Sequence, residues 1–174
     1  MKRLTVAVFG LLLAAGCSSS SSTPSSTPSS GTTTTRFTAA LSPAQETPPI
    51  QGTEASGSGS ATMDFNITRD ASGAITAATV NFTATLQNFP ATTVVNIAHI
   101  HTGPAGVAGP ILVNTTVAPG EVTLNGGAGT FTRVGLVVAG PTMQSILDNP
   151  AGFYFNIHTA ANPGGVMRGQ LVKQ

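Results

Sequence analysis

An all-β fold, an antiparallel β-sandwich or Greek-key barrel with one short helix, follows from three features of this sequence. Glycine is abundant (20 of 174 residues) and charged residues are only 7%, so charged helix formers are scarce. Apolar and polar residues alternate over long stretches, the period of a half-buried strand. Turn signals break these stretches at intervals of about eight to twelve residues, the spacing of sandwiches and barrels.

The alternation is plainest at Ala61, Met63, Phe65 and Ile67, which interleave with Thr62, Asp64, Asn66 and Thr68. Asp70-Ala71-Ser72-Gly73 then reads as a turn. Ala78, Val80, Phe82, Ala84 and Leu86 answer on the far side, interleaved with Thr79, Asn81, Thr83, Thr85 and Gln87, so the two strands form a hairpin. Further strands are expected over 94–101 and 111–116. Val122-Thr123-Leu124 leads into an Asn125-Gly126 turn, with 130–136 on its far side. Thr142 to Asp148 is the one helical piece, with Thr142 as its N-cap and Asn149-Pro150 as its stop. Residues 153–159 and 167–172 complete the set.

Ahead of this domain lie two segments of different character. Lys2 and Arg3 open a positive start, Leu4 to Leu13 is an apolar run too short to span a bilayer, and Ala14-Ala15-Gly16 brings small residues up to Cys17. That is the layout of a secretory signal. Cys17 is the only cysteine, so no intrachain disulfide can form. Its setting resembles a bacterial lipobox, which implies cleavage before Cys17, lipid on its sulfur, and a place in the cell envelope, at the outer membrane or cell surface. Ser18 to Thr35 is nearly all Ser, Thr, Pro and Gly and lacks apolar side chains to offset the entropy of ordering. It reads as a disordered tether with a reach of roughly 25 Å. The folded domain is then expected over 36–174.

Charge excludes some partners. The net charge is +1, and past Lys2 and Arg3 five basic residues face six acidic ones with no basic cluster, which argues against nucleic acid. No serine stands in a nucleophile-elbow pattern, and no glycine-rich segment ends in the Lys-Ser/Thr of a phosphate loop.

The three histidines are the concentrated chemistry. His99 and His101 end an apolar β-branched run, and His158 ends a similar one. Residues i and i+2 of a strand share a face about 6.5–7 Å apart. His99 and His101 therefore share a face, with Val95 and Ile97 expected on it, and His158 shares one with Tyr154 and Asn156. If the two strands are neighbours, three imidazoles converge, a donor set suited to copper or zinc. A histidine at a strand end also commonly just bonds a loop carbonyl. Arg168, alone in a neutral run, reads as bonding turn carbonyls, and Glu46 as either a pocket carboxylate or an edge-strand charge.

Three blocks in order carry a family resemblance: Leu41-Ser42-Pro43-Ala44-Gln45-Glu46-Thr47-Pro48-Pro49, Ala98-His99-Ile100-His101 with Gly103-Pro104-Ala105-Gly106, and Asn156-Ile157-His158-Thr159-Ala160-Ala161-Asn162-Pro163-Gly164-Gly165 with Arg168-Gly169-Gln170-Leu171. Together they resemble the CHRD domain, the module repeated in chordin and found singly in many bacterial secreted proteins. The resemblance implies an extracellular β-sandwich of poorly defined activity. Val166 departs from it, since the family usually has an acidic residue there, and Thr102 is often absent. A more distant likeness is to copper-zinc superoxide dismutase, whose two metals take six histidines and an aspartate. Three histidines exclude that dinuclear centre but leave room for one ion. Two readings therefore stand. One is a lipid-anchored envelope module, binding an extracellular or periplasmic ligand or acting structurally, with no catalysis required. The other is a mononuclear copper or zinc protein using His99, His101 and His158.

Overall fold

Period-two alternation along the chain resolves into two antiparallel sheets in a computed structural model that describes residues 30–174. The signal segment, Cys17 and tether residues 18–29 lie outside the described residues. The strands are β1 (Gly31–Leu41), β2 (Ser58–Arg69), β3 (Ile75–Gln87), β4 (Val94–Thr102), β5 (Ile111–Asn114), β6 (Val122–Thr123), β7 (Gly129–Val137), β8 (Phe153–Thr159), β9 (Met167–Gln170) and β10 (Val172–Lys173). One short helix, α1 (Gly140–Asp148), precedes β8. The first sheet has the order β10-β1-β2-β3-β7, and the second β5-β4-β8-β9, with β6 paired to β4. The result is an open sandwich; the sheets do not close into a barrel.

Its core is built from the inward half of each alternation. Phe37, Met63, Phe65 and Phe82 from the first sheet meet Ile100, Phe155 and Ile157 from the second, all fully buried. The Phe82 and Phe155 rings, one from each sheet, lie 5.6 Å apart and join the layers. Each such side chain contributes roughly 1.5–3 kcal/mol on burial. The β2–β3 hairpin turns as its residues require. Asp70 Oδ1 accepts the backbone N–H of Ser72 and of Ala74, closing the turn from within.

Four local expectations are corrected. β1 begins at Gly31, so the last five residues read as tether, Gly31 to Thr35, are strand, paired with Phe65 to Arg69 of β2. Threonine is β-branched, and a neighbouring strand gives its backbone the partners that composition alone does not reveal. The Asn125-Gly126 turn forms where expected, and because β6 pairs with β4 and β7 with β3 it carries the chain between sheets. The helix starts at Gly140, two residues before Thr142, with Ala139 as N-cap and no side-chain cap. Pro141 has its φ already set for a first turn, and it starts the helix instead. Residues 167–172 are two strands, with buried Leu171 as the corner where the chain leaves β8 for β1. Finally, Val95 lies in the core with Ala98 and Ile100, because the register shifts between Val95 and Ile97 and reverses the facing of the residues before it.

Candidate metal centre

β4 and β8 are adjacent and antiparallel, with His99 opposite Asn156, His101 opposite Tyr154 and Ile97 opposite His158. Alternation sends Ala98, Ile100, Phe155 and Ile157 into the core. His99, His101, Tyr154, Asn156 and His158 therefore share the other face of the sheet. This is the convergence that the spacing allowed. Ring centroids lie 5.4 Å apart for His99 and His101, 5.3 Å for His99 and His158, and 6.3 Å for His101 and His158.

An outward sheet face would ordinarily meet water. Here all three histidines are buried, at 2–8% exposure. Loops cover this face, and two of them fix rings. His101 Nδ1 donates to the Gly109 carbonyl at 2.9 Å, and His158 Nδ1 donates to the Pro163 carbonyl at 2.8 Å. A carbonyl only accepts, so both rings carry their proton on Nδ1 and present a bare Nε2 lone pair when neutral. Neither Nε2 has a partner, although both are buried, and His99 Nδ1 is buried and unpartnered as well.

One donor nitrogen from each ring lies within 4.8 Å of the other two. A point equidistant from three atoms at that spacing is about 2.8 Å from each, against roughly 2.0–2.1 Å for a zinc–imidazole bond. Side-chain shifts of under about 1 Å close the difference, so the donor set fits one ion. Three neutral nitrogens also match what the environment favours. Burial, then the neighbouring His158 and His101, push His99 down to about 4. Burial likewise lowers His101 and His158, each opposed by the loop carbonyl its Nδ1–H serves. At neutral pH all three rings are neutral rather than cationic.

The surroundings hold further residues that set this geometry, of which Gly109 and Glu54 went unmarked in the sequence. Tyr154 stacks on His101, with centroids 4.9 Å apart and planes within 7°, and its hydroxyl accepts the Gly109 N–H at 3.2 Å. Gly109 thus serves both rings through its backbone. A Cβ there would fall 1.7 Å from the Thr102 carbonyl oxygen, so only glycine fits. Glu54, at 4% exposure, accepts Thr159 Oγ1 at 2.6 Å, Asn162 Nδ2 at 2.5 Å and Thr93 Oγ1 at 3.3 Å. It ties down the loop whose Pro163 orients His158. No motif around Glu54 marked it; a lone acid between Thr53 and Ala55 reads as surface.

Arg168 bonds carbonyls, as expected, though of distant loops rather than an adjacent turn: Nε donates to Gln45 and Nη1 to Val107. Its guanidinium also lies over Tyr154, 4.5 Å from the ring centroid. Glu46 accepts Asn156 Nδ2 and lines two adjoining pockets of about 380 and 320 Å³, which makes it a pocket carboxylate. Burial raises its pKa above the usual carboxylate value, with Arg168 and the Asn156 bond pulling the other way. Val166 is fully buried in the core, so no charge occupies that position.

With the fold and this geometry in place, the CHRD domain family model matches residues 37–171. The chain belongs to the CHRD domain family. No curated protein and no solved structure shows significant similarity to it. The match runs from β1 to Leu171, so the centre of this CHRD domain is assembled wholly from family sequence.

Proposed function

We propose that this CHRD domain is a mononuclear metal-binding module, with His99, His101 and His158 holding one copper or zinc ion, in a protein held at the cell envelope by lipid on Cys17. The observation that carries the metal reading is the set of three unpartnered nitrogens on three buried neutral rings, two of them left as bare lone pairs because loop carbonyls hold the proton on the other nitrogen. Each unmade bond of a buried polar atom costs about 1–3 kcal/mol, and a single ion would satisfy all three together. Three protein ligands leave a position open for water or another molecule. Bound there, copper would supply one-electron chemistry and zinc a Lewis acid. The chain's own residues do the rest: Gly109 and Pro163 hold the protons on Nδ1, Tyr154 fixes the plane of His101, and Glu54 anchors the His158 loop. The anchor reading rests on the single cysteine after Ala14-Ala15-Gly16.

Cu(II) or Zn(II) at about 100 times its dissociation constant should stabilise the purified domain by about 2.7 kcal/mol, a rise of several degrees in melting temperature. His99→Ala should abolish that rise while the protein stays folded. An unchanged melting temperature with both ions refutes the metal reading and leaves a binding or structural module.

A further inference from the structure

Arg168 is a cation at 2% exposure, and no carboxylate of the described residues lies within ion-pair distance of it. Two of its nitrogens serve loop carbonyls and its plane lies over Tyr154, but Nη2 is buried with no partner. The Glu46 carboxyl feels the charge of Arg168 but makes no direct bond to it, so the guanidinium keeps one buried nitrogen whose bond a ligand could supply. Arg168 forms part of the wall of the pocket of about 380 Å³, within the size range of small-molecule sites.

The rest of that pocket narrows what it can hold. Glu46 lines it too, together with the polar side chains of Gln45, Thr47 and Gln170 and the apolar ring of Pro49. A bare anion would meet Arg168 favourably but Glu46 unfavourably, and a bare cation the reverse. We propose that this pocket binds a small carboxylic acid with an N–H or O–H donor beside the carboxylate, an α-amino or α-hydroxy acid. The carboxylate pairs with the Arg168 guanidinium in the fork geometry that arginine favours, and the neighbouring donor bonds the Glu46 carboxylate. Gln45, Thr47 and Gln170 meet the remaining polar edges. The site uses none of the three histidines and does not depend on a metal.

The test is calorimetric titration of the metal-free protein with glycine, glycolate, acetate and methylammonium. Glycine and glycolate differ in their donor and so tell an amino acid from a hydroxy acid. Glycine or glycolate should bind at least about ten-fold more tightly than acetate, the worth of one charge-assisted hydrogen bond, and methylammonium should not bind. Arg168→Lys keeps the charge but loses the fork and should weaken the preferred ligand by about ten-fold or more. Because Arg168 packs on Tyr154, Glu46→Gln provides a second variant. It keeps an acceptor for Asn156 but removes the charge, so acetate should gain and the preference over acetate should shrink by at least about five-fold. Equal affinity for acetate, glycine and glycolate overturns the proposal. So does no binding of any acid at about 50 mM, or an undiminished preference in folded Glu46→Gln. His99→Ala should leave these titrations unchanged, so the pocket and the metal centre fail or stand separately.

Discussion

The outer faces of the two sheets follow the same alternation to opposite ends. In β2 the outward residues Thr62, Asp64, Asn66 and Thr68 remain partly exposed, while their neighbours are buried. Such residues pair across strands, Thr68 with Thr32 of β1 at 2.8 Å and Thr85 of β3 with Thr130 of β7 at 3.1 Å, and the rest of their surface is open to solvent. In β8 every residue is buried on both faces. Its outward residues Tyr154, Asn156 and His158 are polar, like those of β2, but loops lie over them and His158 Nε2 finds no partner. The difference teaches that polarity at an outward strand position says little by itself. What covers the position decides whether it solvates the fold or forms a site.

The sharpest way to break the contrast is to lift the cover. Gly109→Ala places a Cβ against the Thr102 carbonyl oxygen and displaces the backbone that orients His101 and Tyr154. A loss of more than about 3 kcal/mol in urea denaturation is expected, with metal binding lost as well.

Acid attacks the covered face selectively. In the metal-free protein the folded-state pKa values of His99, His101 and His158 are all lowered, His99 to about 4. Below about pH 6.5 the unfolded chain takes up protons that the folded one refuses, so stability falls with pH and levels off near the folded values. For His99 alone the loss between pH 7 and 4 is up to about 3 kcal/mol, readable as a falling denaturation midpoint. His99→Ala should flatten this part of the profile.

A smaller effect is expected one step further from the rings. Glu54→Gln leaves the shape but replaces an acceptor that serves Thr159, Asn162 and Thr93 with an amide that cannot accept from all of them. A cost of about 1–3 kcal/mol is expected by thermal unfolding. On the open face, Thr83→Ala removes only an exposed hydroxyl contact to Thr132 and should change stability by no more than about 0.5 kcal/mol. A large effect there would show that the threonine face does more than meet water.

Much of the fold was legible because burial on one face writes itself into a period of two. Ala61 to Ile67 and Ala78 to Leu86 needed nothing else. β8 was legible in extent, and the parity of His99, His101, Tyr154, Asn156 and His158 held. The misread places are those where local chemistry has competitors. A threonine run is tether or strand according to whether a partner strand lies beside it, and Gly31 to Thr35 has one. Val95 left the histidine face because one register shift reverses every residue beyond it.

The sequence by itself determined the all-strand architecture, the candidate ligand residues and the faces on which they sit, because side-chain alternation is a local property of the extended chain. The tertiary structure alone decided that β4 and β8 are neighbours, that loops bury the three rings, and that Gly109, Glu54 and Arg168 gather around them. Those contacts join residues up to 123 positions apart, and no local pattern encodes which distant backbone closes over which strand.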